Sequence, residues 1–204
     1  MAKKYILALI ILVLIAFLAF NYLGTDTVDI YNDGENVSVT THSISGVDTE
    51  SLNKELCDYT INIMNDTTTD FSDYENGVKD ICSKYGLDDA EINVDSSIGK
   101  NQIPVVVNVD GTSMLPTLQD GQKVLVNKSH DIDVGDIVVA ESDEYGGIIK
   151  RVDAIEGDNI HLVSDNKDVS YEYINGVLYE IKGISTWVDI SDIGGVVIQY
   201  WKWK

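Results

Sequence analysis

Two short segments of the chain carry residue types that can together cleave an amide bond. The first is Asp110-Gly111-Thr112-Ser113-Met114-Leu115-Pro116-Thr117-Leu118, shortly after the apolar run Pro104-Val105-Val106-Val107. The only two prolines of the sequence, Pro104 and Pro116, flank it and fix the local backbone. A serine on a glycine-entered turn after a strand presents its hydroxyl and can aim nearby backbone N–H groups at an oxyanion; the alternative is an ordinary loop serine. The second segment is Gly147-Ile148-Ile149-Lys150-Arg151-Val152, an apolar strand interrupted by a lysine. If Lys150 faces inward, desolvation disfavours its cation. A fall of roughly 3 units from about 10.4, equivalent to about 4 kcal/mol, makes it a base near neutral pH. A neutral amine can take the proton of a serine hydroxyl without any histidine. The alternative for Lys150 is a surface lysine with its head in water. His42, His130 and His161 each stand apart, without metal-ligand spacing and with nothing local that builds a Ser-His-Asp arrangement.

The elements that must position these residues fall in two regions. Residues 101–204 hold strand-like runs in quick succession: Ile103–Val109, Lys123–Asn127, Asp136–Ala140, Ile148–Ile155, Asn159–Val163, Val177–Ile181 and Gly195–Tyr200. Turn dipeptides such as Asp120-Gly121, Gly146-Gly147 and Asn175-Gly176 separate them, so this region reads as a β-rich sandwich or barrel. Residues 24–100 read as a small α/β module. A hairpin turns at Asn32-Asp33-Gly34, and two amphipathic helices follow the caps Asp48 or Thr49 and Asp70, the second stopping at Gly86. Cys57 and Cys82 fall on the apolar sides of those helices, either bridged as a disulfide or buried as free thiols.

Charge and hydropathy bound the setting. The chain has 204 residues, 14 Lys+Arg against 34 Asp+Glu and a net charge of −20, which excludes nucleic acid as a partner. Two cysteines are too few for a disulfide scaffold or a four-thiolate zinc site. The run from Tyr5 to Leu23 is 19 residues without a charge, about 28 Å as a helix, and fits a transmembrane anchor better than a cleaved leader. Lys3 and Lys4 before it place residues 1–4 in the cytoplasm and residues 24–204 outside, on a single-pass protein of the cell membrane.

In their order along the chain the motifs resemble the type I signal peptidase family. The resemblance covers residues 103–172: Gly111–Leu118 looks like the nucleophile box, Gly135-Asp136-Ile137-Val138-Val139 like the central strand box, Lys150-Arg151-Val152 with Gly157-Asp158 like the general-base box, and Asp165–Glu172 like the last box. It implies a mainly β catalytic domain, of the fold shared with SOS-repressor proteases, carrying an N-terminal transmembrane helix and the inserted α/β module. It implies a serine endopeptidase that removes signal peptides from exported preproteins, with the lipid bilayer as its other partner and no cofactor or metal; it leaves the oligomeric state open. Ser113 would be the nucleophile, Lys150 the general base and Ser170 the serine that orients the lysine. The Ser113 N–H, with a second donor at Gly111 or Thr112, would form the oxyanion hole, and Met114, Pro116, Arg151 and Asp165 would support. Ser164 stands where the last box normally opens with glycine, and Ile174 where it normally ends with arginine. A related self-cleaving Ser-Lys domain, or a non-catalytic surface β domain with Lys150 exposed and far from Ser113, are the competing readings.

Overall fold

The computed structural model describes residue 12 and residues 24–66, 69–174, 176–181 and 183–200. The expected anchor, residues 5–23, falls outside the described residues except for Leu12, and no described helix is long and apolar enough to cross a membrane.

The chain begins with strands β1 (Thr27–Asn32) and β2 (Val37–His42), joined through the expected Asn32-Asp33-Gly34 turn. Helix α1 (Thr49–Asn65) starts on the Asp48 side chain, which accepts from the Ser51 N–H, and helix α2 (Phe71–Lys84) starts on Asp70, which accepts from the Asp73 N–H. Each such cap contributes about 1 kcal/mol. Strand β3 (Glu91–Ser96) then returns parallel to β1, giving a three-stranded sheet in the order β2-β1-β3. The apolar stripes of both helices (Leu52, Leu56, Tyr74, Val78, Cys82) close on Val28 and Ile30 in one core. Burying a leucine or valine there contributes roughly 1.5–3 kcal/mol.

The remainder is a seven-stranded sheet of β4 (Pro104–Asn108), β5 (Lys123–Asn127), β6 (Ile137–Ser142), β7 (Gly146–Glu156), β8 (Asn159–Val163), β11 (Ser185–Asp189) and β12 (Ile193–Tyr200). Its order is β11-β8-β7-β6-β12-β5-β4, and the hairpin of β9 (Ser170–Ile174) and β10 (Val177–Ile181) stands as a separate pair. The described fold is therefore mainly β beside a small α/β part. Two further cores lie here: one around Val138, Val152, Ile160, Leu162 and Ile193, the other joining Met114 and Leu118 to Val124, Val126 and Ile137.

Three strands, β3, β9 and β11, were not expected from the sequence pattern. Cys57 and Cys82 are free, which corrects the disulfide alternative. The Cys57 thiol points to the Val37 carbonyl of β2, while Cys82 is wholly buried in the core and burial pushes its thiol pKa up.

Candidate active site

The loop that carries Ser113 is held down by its own apolar residues. Met114 and Leu118, one and five residues after Ser113, are 1% and 0% exposed in the core beneath the loop. Gly111 takes a left-handed backbone with φ of +83°, open to glycine at little cost. Its N–H donates to the Asp120 carboxylate at 2.8 Å. That corrects the expectation of Gly111 as an oxyanion donor, because its N–H is already engaged. No hydrogen bond among the described residues uses the N–H of Thr112 or Ser113.

Lys150 enters from β7 and is 3% exposed. Its Nζ donates to Ser113 Oγ at 2.9 Å and to the Ile149 carbonyl at 2.9 Å. Burial alone lowers its pKa from the ordinary lysine range. The competing picture of Lys150 exposed and remote from Ser113 does not describe this molecule.

A second layer ties the motifs together. Arg151, next along β7, donates through Nε to Asp165 at 2.7 Å and through Nη1 to the Gly135 carbonyl at 2.6 Å. Asp165 also accepts from the Thr117 hydroxyl, four residues past Ser113. The Arg151 hydrogen bond is the main reason the Asp165 pKa is lowered, helped by Thr117 and opposed by burial. Asn166, quoted in the last box but given no role there, grips the loop twice: its N–H donates to the Ser113 carbonyl at 2.9 Å and its Nδ2 to the Thr112 carbonyl at 3.0 Å. The Asp-Asn pair that opens the box was the signal for it. Ser164, in place of the usual glycine, is 1% exposed, and its Oγ accepts the Ile184 N–H at 2.9 Å. Ser170 opens β9 opposite Ile181, and its side chain lies outside the described residues.

Ser113 and Lys150 line a cleft of about 360 Å³ walled by Val107, Val139, Ile148, Ile149 and Ile184. None of its lining residues comes from residues 24–100. β4 is the edge strand of the sheet on one side. On the other, β8 joins β7 only from Arg151 onward, so the Gly146–Lys150 stretch pairs only with β6 among the described ladders. The cleft thus lies between two strand segments with unused edges, where an extended peptide can pair.

The structure also brings together three residues that the sequence left scattered. His161 Nδ1 lies 3.0 Å from Asp153 Oδ2, its Nε2 lies 2.9 Å from Ser185 Oγ, and its ring stacks on Trp187 at 4.7 Å. This row sits at the β8–β11 end of the sheet, away from β4. The Asp153 side chain is 56% exposed, so water screens its effect on the imidazole. We read the row as a clamp joining β7, β8 and β11. His42 is exposed, and His130 Nε2 lies 3.0 Å from the Ile193 carbonyl.

The chain matches the family described as Peptidase S24-like over residues 77–186, more than half of its length. It is 48% identical over 60 residues to Signal peptidase I of Streptococcus pneumoniae serotype 4 (strain ATCC BAA-334 / TIGR4), covering 29% of each chain. It is 37% identical over 81 residues to Signal peptidase I V of Bacillus subtilis (strain 168), covering 38% of this chain and 45% of that one. It is 33% identical over 72 residues to Signal peptidase IB of Staphylococcus aureus (strain Mu50 / ATCC 700699), covering 33% of this chain and 35% of that one. The matches thus span less than half the length of these relatives. No solved structure matches the chain.

Proposed function

The chain belongs to the peptidase S24-like family, and from that premise we propose that it is a membrane-anchored serine endopeptidase that removes signal peptides from exported preproteins. The observation that carries the reading is the 2.9 Å contact between Ser113 Oγ and the buried Lys150 amine in a cleft between strand edges. When Lys150 is neutral, the hydrogen bond reverses and the serine hydroxyl donates to Nζ. Nζ takes that proton as Oγ bonds to the scissile carbonyl carbon. The oxyanion is received by the Ser113 N–H, with Thr112 as the second donor. The protonated Lys150 then gives its proton to the departing amine as the C–N bond breaks, leaving an acyl-serine. Lys150 then takes a proton from a water whose oxygen bonds to the acyl carbon, and returns it to Oγ as the ester C–O bond breaks, which releases the carboxyl product and restores Ser113.

The apolar walls, with valine and isoleucine on both sides, suit small residues next to the cut, as at the small-x-small ends of signal peptides. The uncharged run Tyr5–Leu23 is the proposed anchor, holding residues 24–204 at the outer membrane surface beside membrane-inserted precursors. The test incubates detergent-solubilised full-length protein with a preprotein whose residues one and three before the cut are alanine or bulky. Cleavage after Ala-x-Ala, lost in Ser113→Ala, is expected. Equal cleavage of the bulky variants would contradict the proposed specificity, and cutting confined to the protein's own residues 24–100 would replace this reading with self-processing.

A further inference from the structure

The substrate-pairing edge of β4 is not open along its whole length. The Val109 N–H donates to the Gln122 carbonyl and the Val109 carbonyl accepts from the Gly121 N–H, extending the β4–β5 ladder past its last strand residue. Backbone groups alternate between the two sides of an antiparallel strand. Val105, Val107 and Val109 therefore face β5, and Pro104, Val106, Asn108 and Asp110 face outward. Two of those outward groups are taken by the acidic module. The Val106 N–H donates to the Gly34 carbonyl at 3.0 Å, and the Pro104 carbonyl accepts from Asn32 Nδ2 at 3.1 Å.

The turn that makes these contacts is built for close approach. Gly34 has φ of +99°, and a Cβ there would meet Leu125 Cδ1 at 3.0 Å and Val106 Cγ2 at 3.2 Å. Asn32 is 3% exposed, and its Oδ1 accepts the Gly34 N–H at 2.7 Å while its Nδ2 holds Pro104. Asp33 Oδ1 accepts from the N–H groups of Glu35 and Asn36 at 2.9 and 2.7 Å, so the turn is also locked internally. The Glu35–Lys123 ion pair alongside is about half exposed at both ends and adds little. The buried Asn32 bonds therefore carry the attachment.

We propose that the Asn32–Gly34 turn is an end-stop on the substrate edge. A peptide pairs only with the outward groups from the Val106 carbonyl to the Asp110 N–H, about 13 Å of strand at roughly 3.3 Å per residue. The module thereby limits how long a segment next to the cut is read and holds it in one register. This rests on the peptidase reading above, and it gives residues 24–100 a task in specificity although none of them lines the cleft.

The experiment uses full-length protein and a series of peptides with one Ala-x-Ala site, extended one residue at a time at either end. With wild type, kcat/KM rises with length and then levels off within about twofold once the peptide meets the turn. Asn32→Ala releases the turn, so its plateau moves to peptides about two residues longer, with short peptides cleaved within about twofold of wild type. A second measurement needs no variant. Single backbone N-methylations scanned along the longest peptide lower wild-type kcat/KM tenfold or more only at positions reaching Val106–Asp110. A wild-type rate that keeps climbing with length, an unmoved plateau in a folded Asn32→Ala protein, or a methylation effect extending past the turn overturns the end-stop while leaving Ser113-dependent cleavage standing. Absence of Ser113-dependent cleavage of any peptide overturns the peptidase reading and the end-stop with it.

Discussion

Lys150 is placed where an amine is costly to the fold and useful to a serine. It is buried, its one side-chain hydrogen-bond partner among the described residues is a neutral hydroxyl, and burial lowers its pKa. The unfolded chain holds that proton up to roughly 10.4 and the folded chain releases it earlier. Between the two values the unfolded state binds more protons, so stability rises with pH across that window, and at lower pH the full cost of burial remains. Lys150→Met keeps an unbranched side chain, one atom shorter, and removes the charge. It is expected to abolish peptide cleavage yet raise stability at pH 7 by about 1–2 kcal/mol, with a flatter dependence on alkaline pH. Denaturant titrations of both proteins at pH 7 and pH 10 check this. A Met variant less stable than wild type at pH 7 would mean that Lys150 is held by an attraction that offsets its burial.

At the scale of elements, the boxes act because the chain brings them edge to edge. Asp165 and Asn166 follow β8 and hold the Ser113 loop from one side while Arg151 of β7 holds Asp165. Gly183, after β10, allows this packing. A Cβ on it would meet the Asn166 carbonyl at 2.7 Å and Ser164 Cβ at 3.0 Å, and the first of these is backbone that cannot swing away. Gly183→Ala is expected to cost about 2–3 kcal/mol and to lower kcat more than it changes KM, because it pushes on the residue that fixes the Ser113 carbonyl. Thermal melts and peptide kinetics read the two effects. Strands β5, β8 and β10 were legible residue for residue, since each is a short apolar run closed by turn chemistry. Helices α1 and α2 were legible from their caps and stripes. β3 was not, because Glu91-Ile92-Asn93-Val94 becomes a strand only by parallel pairing with β1, more than sixty residues earlier. The closeness of Ser113 and Lys150, 2.9 Å apart, was foreseeable from their motifs, but the N–H of Gly111 was not, because Asp120, nine residues on, decides where it goes. The Asp153-His161-Ser185 row stayed hidden because three strands have to align before it exists.

Over the whole molecule, the acidic module and the β sheet share an interface that the sequence division at residue 100 does not suggest. Ile103 packs in the module core, and Lys128 of the β region, 6% exposed, donates to the Ile63 and Asp66 carbonyls at the end of α1. Burial lowers the Lys128 pKa too, yet the amine adds a donor to carbonyls at the helix end. Residues 101–204 alone are therefore expected to be insoluble or to melt at least about 10 °C below residues 24–204, as a loss of roughly 2 kcal/mol or more predicts; an equally stable, equally active fragment would show the module to be dispensable. The central claim remains that Ser113 is activated by the Lys150 amine, and kcat/KM for one Ala-x-Ala preprotein measured against pH, in wild type and in Lys150→His, tests it most directly. The wild-type rate is expected to rise with pH to an inflection below the ordinary lysine range, and Lys150→His to keep residual activity whose inflection moves toward the histidine range near about 6.5. A profile unchanged by the Lys150 substitution would contradict it.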